Sequence, residues 1–313
     1  LVGSEMCIRD RYETLLKAFD RENEVFKKRV GKDRVMATYR ARVRARNHVA
    51  AFIKSFYRRS DMSMLELTPD FIKEFAAYLS TEAGLRNGSI WANCMWLKGV
   101  VMKAHYNGLI PRNPFIQFHI SPNVKEREYL TEDELKAVMT HEFADSKLAY
   151  IRDIFIFASF TALSFVDIQE LTNDNIVEVN GEKWILSKRH KTKVAFQVKL
   201  LDIPLQIVER YRPMQKDNRI FPGLNYWSIC KPLKRMIREC GITKSISFHC
   251  SRHGFATLAL SKGMPIESVS RVLGHTNIVT TQLYAKITTQ KLDNDLTMFG
   301  DKLSKTFNGI TMS

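Results

Sequence analysis

Four separated segments hold the residues best able to do chemistry. His249-Cys250-Ser251-Arg252-His253 opens an apolar-patterned helix through Phe255, Ala256 and Leu258. Leu273-Gly274-His275 follows, with His275 twenty-three residues after Arg252, and Tyr284 comes nine residues later. Arg189-His190-Lys191-Thr192 lies upstream, at the tip between two candidate strands. Singly, each has an ordinary reading. A His-x-x-Arg arises by composition, Leu-Gly-His suits a helix C-cap, a tyrosine after an apolar helix suits a core, and a hairpin lysine suits solvent. Together they collect a phenol, guanidinium groups, imidazoles and an amine. Cleaving a phosphodiester without a metal requires a nucleophile, neutralisation of the phosphate and a proton donor for the departing oxygen. Tyrosine, with a pKa of about 10, is a weak nucleophile at neutral pH and needs a positive, hydrogen-bonding pocket. Rival chemistries lack their residues: there is no Walker A glycine loop and no carboxylate cluster suited to two metals. The five cysteines (Cys7, Cys94, Cys230, Cys240, Cys250) are scattered without CxxC spacing. This argues against a disulfide scaffold or a tetrathiolate zinc site and fits a reducing cytoplasm.

Helices must position these groups. Residues 1–11 have no apolar period and read as a non-native or disordered start. Residues 12–118 read as a helical, basic domain: Tyr12 to Val30, Ala37 to Arg59, a helix opened by Thr68-Pro69, and one carrying Ile90, Cys94, Leu97, Val101 and Ala104 up to Gly108. Residues 119–128 read as a linker, and Thr131-x-x-Glu134 is a capping box that opens a second domain, 129–290. Ala149 to Ser164 reads as a buried helix, with Val166 to Leu171 a short one. Asn175 to Val179, Lys183 to Ser187 and Val194 to Leu201 form the β signal, with Asn180-Gly181 as a hairpin turn. Helices resume after Pro204, through Ile207 to Arg212, Trp227 to Glu239, Phe255 to Lys262 and Ile266 to Leu273. A tail, 291–313, carries Leu292, Leu296, Phe299 and Leu303 at helical spacing. Trp91, Trp96, Trp184 and Trp227 read as core. The fold class is mainly α, with a small three-stranded antiparallel sheet in the second domain.

Charge narrows the partner. Forty-eight Lys and Arg against 33 Asp and Glu leave +15, which favours a polyanion. Between Lys27 and Arg59 lie twelve basic residues and one acid, Asp33, interleaved with apolar residues at helical spacing. Arg40, Arg42, Arg44 and Arg46, with Lys98 and Lys103 further on, are candidates for phosphate contacts. No stretch nears the roughly 18 uninterrupted apolar residues of a membrane span.

The order His-x-x-Arg, Gly-His and Tyr behind a Lys-Thr hairpin resembles the catalytic domain of tyrosine recombinases, the phage-integrase family, in its mobile-element and conjugative-transposon branch. The likeness runs from about Lys32 to Lys286. It includes an N-terminal segment similar to the SAM-like core-binding domain, ending Ala104-x-x-x-Gly108-x-Ile110-x-x-Asn113-Pro114-Phe115. Arg127-x-Tyr129-Leu130-Thr131 is similar to the usual opening of the catalytic domain. The resemblance implies that Tyr284 attacks a DNA phosphate to give a 3′-phosphotyrosyl intermediate. Arg252 would hold the non-bridging oxygens, His249 and His275 would hydrogen-bond the phosphate and assist proton transfer, and Lys191 would protonate the leaving 5′-oxygen. It further implies a C-shaped clamp on double-stranded DNA, a homotetramer passing through a Holliday junction, no metal or other cofactor, no membrane, and a cytoplasmic site of action. It leaves room for accessory DNA-bending proteins. It also implies that the tail packs on a neighbouring protomer. Many members of this branch carry a further N-terminal domain for accessory sites, expected here to be either absent or cut away by a fragment start.

One position departs from the family. Where a Thr-Gly-Leu-Arg-type turn supplies the first catalytic arginine, this chain has Thr161-Ala162-Leu163-Ser164. A hydroxyl brings no charge, and losing a charged phosphate contact costs about 2–4 kcal/mol of transition-state stabilisation. Arg189 is the best substitute, two residues before Lys191 and on the same strand face; Lys188 and His190 are weaker. Asp167 matches an acidic position that orients active-site groups in the family, and equally suits a helix N-terminus. His253 reads as a structural histidine. Type IB topoisomerases and hairpin telomere resolvases share the tyrosine chemistry. The reading from another class is a decayed integrase that only binds DNA.

Overall fold

A computed structural model describes residues 13–122, 128–190, 193–215, 217–284 and 289–306. The chain separates after Lys125 into two compact units. The first contains α1 (Leu15–Lys27), α2 (Met36–Tyr57), α3 (Pro69–Thr81) and α4 (Asn87–Tyr106). Pro69 at the first helical position of α3 needs no intrahelical partner for its missing N–H. The unit closes on an aromatic centre: Phe52 meets Phe71 edge-on at 5.1 Å, and Phe71 stacks on Phe115. Helix α1 packs on α2 and α4, and α3 packs on α4.

The second unit runs α5 (Glu132–Thr140), α6 (Ser146–Thr161), α7 (Phe165–Gln169), β1 (Ile176–Val179), β2 (Glu182–Lys188), β3 (Ala195–Lys199), α8 (Asp202–Tyr211), α9 (Tyr226–Glu239), α10 (His249–Ser261), α11 (Ile266–Leu273), α12 (Val279–Gln282) and α13 (Thr289–Thr306). Thr131 and Glu134 make the expected capping box. Helix α6, apolar on most sides, is the central element, and α5, α8, α9 and α10 pack around it. Its buried Asp153 accepts hydrogen bonds from Arg152, Arg210 and Tyr211, which compensate the carboxylate. The antiparallel sheet has the order β1-β2-β3, with the Asn180-Gly181 turn in left-handed backbone as such a hairpin requires.

Several boundaries move. The expected helix 149–164 stops at Thr161, because Ala162 adopts the left-handed conformation (φ 56°) and caps it; Ser164 then opens α7. The third strand ends at Lys199, and α8 begins at Asp202 rather than beyond Pro204, since proline is tolerated in a first helical turn. Trp227, expected in the core, is 83% exposed in the first turn of α9, and Trp91 is also exposed. Trp96 and Trp184 are half-buried.

Candidate functional site

Helix α10 opens at His249, and Arg252 lies one turn along on the inward side, 9% exposed. Its Nη1 donates to Ala162 O at 2.8 Å and its Nη2 donates to Leu273 O. These are the carbonyls at the ends of α6 and α11, so the guanidinium ties three helices at one point. Both partners are uncharged, and among the described residues Arg252 forms no ion pair. The two bonds use only part of a five-donor fork. A cleft of about 220 Å³ opens here, with Ser164, Tyr226, His249 and Arg252 in its wall.

Helix α11 ends at Gly274, left-handed at φ 63°, which turns the chain so that His275 faces back toward the arginine. His275 Nδ1 lies 2.8 Å from Thr281 Oγ1, a side chain with no exposed surface, so the ring is fixed from α12. Tyr284 follows α12 and packs on the small apolar cluster of Ala162, Ala256, Leu260, Val269 and Leu273. Its ring meets His253 at 5.0 Å, and His253 meets His249 at 4.8 Å, both edge-on.

Ser164 does not present a free hydroxyl to the cleft. Its Oγ donates to Asp167 Oδ2 at 2.7 Å and also caps α7 by accepting from the Asp167 N–H. Asp167 Oδ2 further accepts from Arg189 Nη1 at 2.8 Å, and Oδ1 accepts from the His190 N–H at 3.0 Å. Arg189 is 5% exposed. Its Nη2 donates to Val272 O, and its guanidinium stacks over Phe196 at 4.2 Å. Its stem lies against Gly274: a Cβ built there would stand 2.9 Å from Arg189 Nε. Lys191 and Thr192 lie outside the described residues. Lys188 and His190 are exposed, His190 within 3.3 Å of Glu170.

The electrostatics follow from two buried cations sharing one carboxylate. Burial would raise the Asp167 pKa, but the His190 N–H, Arg189 and Ser164 overcome it and hold the carboxyl below its ordinary value. Burial lowers the Arg189 pKa against the pull of Asp167. Arg252 is pushed down to about 10, first by burial and then by repulsion from Arg189, with Tyr284 and Asp167 acting the other way. His275 falls to about 4 through burial and then through Arg252 and Arg189, so it is a neutral imidazole at pH 7. The site therefore holds an excess of positive charge in a poorly hydrated place, and a dianionic or monoanionic oxygen cluster would relieve it.

In the first unit the basic candidates divide. Arg40 and Arg44, one turn apart on α2, are exposed, as are Lys54 further along the helix and Arg58 at its C-cap. Arg42 is turned inward, with its Nε donating to Asn23 and its guanidinium between Phe26 and Trp96, so it is removed from the phosphate-facing set. Arg46 is held by a two-point ion pair with Asp20, and Lys103 pairs with Glu22. Lys98 Nζ donates to Phe118 O at 2.7 Å. Burial in a helical bundle recruits these long cations to seal its seams.

Residues 128–291 match the phage integrase family, and residues 14–120 match the phage integrase SAM-like domain. The chain belongs to the phage integrase family of tyrosine recombinases. The tyrosine recombinase XerA of Pyrococcus horikoshii is 32% identical over 177 residues, covering 52% of this chain and 58% of its own length. XerC of Lactobacillus leichmannii is 25% identical over 229 residues, 68% of this chain and 77% of that one. Among solved structures, the Tn1549 transposon integrase in complex with circular-intermediate DNA gives a TM-score of 0.76 at 17% identity, covering 91% of this chain and 99% of that chain. A lambda integrase tetramer bound to a Holliday junction gives 0.67 at 17% identity, covering 90% and 80%. At these identities the structural likeness is one of fold.

For this integrase-family chain, the structure brings Arg252, His275, Arg189 and Tyr284 into mutual electrostatic or packing range, with His249 at the cleft. Sequence reasoning missed three things. The Ser-x-x-Asp spacing at 164 and 167 is a legible capping signal, but that its carboxylate also holds Arg189 is a long-range fact. The need for glycine at 274 comes partly from the Arg189 stem. The place of His253 between two rings depends on where the chain after α12 sets Tyr284 against α10.

Proposed function

We propose that this chain is a site-specific DNA recombinase of the integrase type, acting on duplex DNA at mobile-element ends through a 3′-phosphotyrosyl intermediate. The observation that carries this is Arg252: a buried guanidinium that forms no direct ion pair among the described residues, close enough to Tyr284 for that phenol to influence its pKa. Tyr284 Oη attacks the scissile phosphorus while one of the imidazoles, His249 or His275, takes its proton. The P–O5′ bond breaks, Lys191 protonates the 5′-oxygen, and the DNA 3′ end is held as a tyrosyl ester. Arg252 and Arg189 neutralise the non-bridging oxygens as charge builds on them. The ester conserves the bond energy, so a 5′-hydroxyl from a partner strand reverses the step without ATP. Two rounds of strand exchange on a homotetramer give a Holliday junction and then recombinants, with the exposed arginines of α2 lying along phosphates. No described helix is long and apolar enough to cross a membrane, and a cytoplasmic site of action suits a DNA substrate.

Helix α13 leaves Leu292, Leu296, Phe299 and Leu303 between 39% and 59% exposed, an apolar stripe suited to a neighbouring protomer. A chain ending at Ile287 should lose tetramers on DNA, and tetramers that persist would refute that assignment. Incubation with a nicked suicide duplex tests the chemistry: a covalent adduct on a denaturing gel, absent in Tyr284→Phe, is expected. A protein that shifts the duplex without ever forming an adduct would instead be a decayed integrase. A buried Arg189 near enough to Arg252 and His275 to lower both of their pKa values favours the active reading.

A further inference from the structure

We infer that His253 is a positioning residue for the nucleophile, holding the Tyr284 ring at its attack angle and linking it to His249. This rests on the assignment of Tyr284 above. Helix α12 is four residues long, too short to be stable alone, and Leu283 beside the tyrosine is 75% exposed. One side of the Tyr284 ring is taken by the small apolar cluster around Ala256 and Leu273, and such a cluster does not fix the ring's direction. His253 bears directly on that direction, because its ring stands edge-on to Tyr284 (centroids 5.0 Å apart, planes at 66°). The same ring stands edge-on to His249 on the next turn of α10, at 4.8 Å and 80°. The ring quadrupoles favour these arrangements over a face-to-face stack. His253 Nε2 is buried, so the ring is wedged and does not swing in solvent. Its neighbour in sequence, Arg252, is the phosphate ligand, so one helical turn of α10 carries the phosphate clamp, the nucleophile's support and the cleft-facing histidine. In-line attack requires the phenol oxygen about 3–3.5 Å from phosphorus with the right alignment, and a misplacement of about 1 Å costs roughly a hundredfold.

The test is single-turnover adduct formation on the nicked suicide duplex at saturating full-length protein, with DNA affinity measured separately. His253→Ala should slow the covalent step about tenfold or more with DNA affinity unchanged, and His253→Phe, which keeps a planar ring, should recover most of the rate. A second substrate with a 5′-bridging sulfur at the scissile phosphate needs no proton for its leaving group. The His253→Ala deficit should persist on it. Restoration there would show a role in proton transfer and overturn the inference, as would a His253→Ala rate within about twofold of the parent or a His253→Phe no faster than the alanine variant. Circular dichroism melts identify a folding defect, and the phenylalanine variant then carries the comparison. An adduct that survives Tyr284→Phe would instead remove the nucleophile assignment, whatever the His253 variants do.

Discussion

Replacing Arg189 with alanine separates a catalytic cation from a structural one. The guanidinium lies close enough to Arg252 and His275 to lower both of their pKa values, so its charge reaches the place where a phosphate would bind. Removing one cation from a phosphoryl transition state costs about 2–4 kcal/mol, a slowing of about 30- to 900-fold. The single variant is ambiguous, however. Asp167 loses its ion-pair partner and keeps only the His190 N–H and Ser164, and a buried carboxylate stripped of its cation destabilises its surroundings. Pairing Arg189→Ala with Asp167→Asn removes that stranded charge. If Arg189 serves the phosphate, the double variant folds as well as the parent and still forms adduct at least about 30-fold more slowly. Single-turnover adduct formation on the suicide duplex is the assay, with a thermal melt alongside. A double variant that cleaves at the parent rate would show that Arg189 only balances Asp167, and the argument for it as the missing first arginine would fail.

Other outcomes follow from the same geometry. Gly274→Ala should cut the cleavage rate, since the new Cβ meets Arg189 at 2.9 Å in backbone that alanine adopts at a cost of about 1–2 kcal/mol; a rate equal to the parent's would show that Arg189 moves aside harmlessly. Arg40→Ala and Arg44→Ala should each weaken duplex binding and reduce the salt slope by about 0.9 in a titration. Arg42→Ala should leave that slope unchanged and lower the melting temperature, because its guanidinium sits between Phe26 and Trp96. His275, depressed from 6.5 to about 4 in the folded protein, favours folding when neutral. Its contribution is therefore present above pH 6.5 and lost as pH falls through about 4. An NMR titration should find its midpoint near 4 without DNA and higher in Arg189→Ala, and a midpoint near 6.5 would contradict the burial and repulsion described.

Much of this was legible in the sequence because the signals are local. The capping box at Thr131 and Glu134, the proline that opens α3 and the Asn-Gly hairpin each fix a boundary through chemistry within a few residues. The boundaries that moved were set elsewhere. Ala162 takes a left-handed conformation that alanine does not advertise, and its carbonyl is held by Arg252, ninety residues on. Among the basic residues, a count of arginines does not say which face the core. Arg42 and Arg44 sit two apart, so a helix turns one inward and leaves the other in water. The residue types of the site were likewise readable, whereas the sharing of Asp167 between Ser164, Arg189 and the His190 N–H joins groups more than twenty residues apart, beyond the reach of local spacing.

The most direct test of the central claim is to identify the residue that carries DNA. The adduct formed on the suicide duplex would be digested with nuclease and protease and sequenced by tandem mass spectrometry. A 3′-phosphonucleotide on Tyr284 is expected. The same mass on another side chain, or no adduct from a folded, DNA-bound protein, would contradict it.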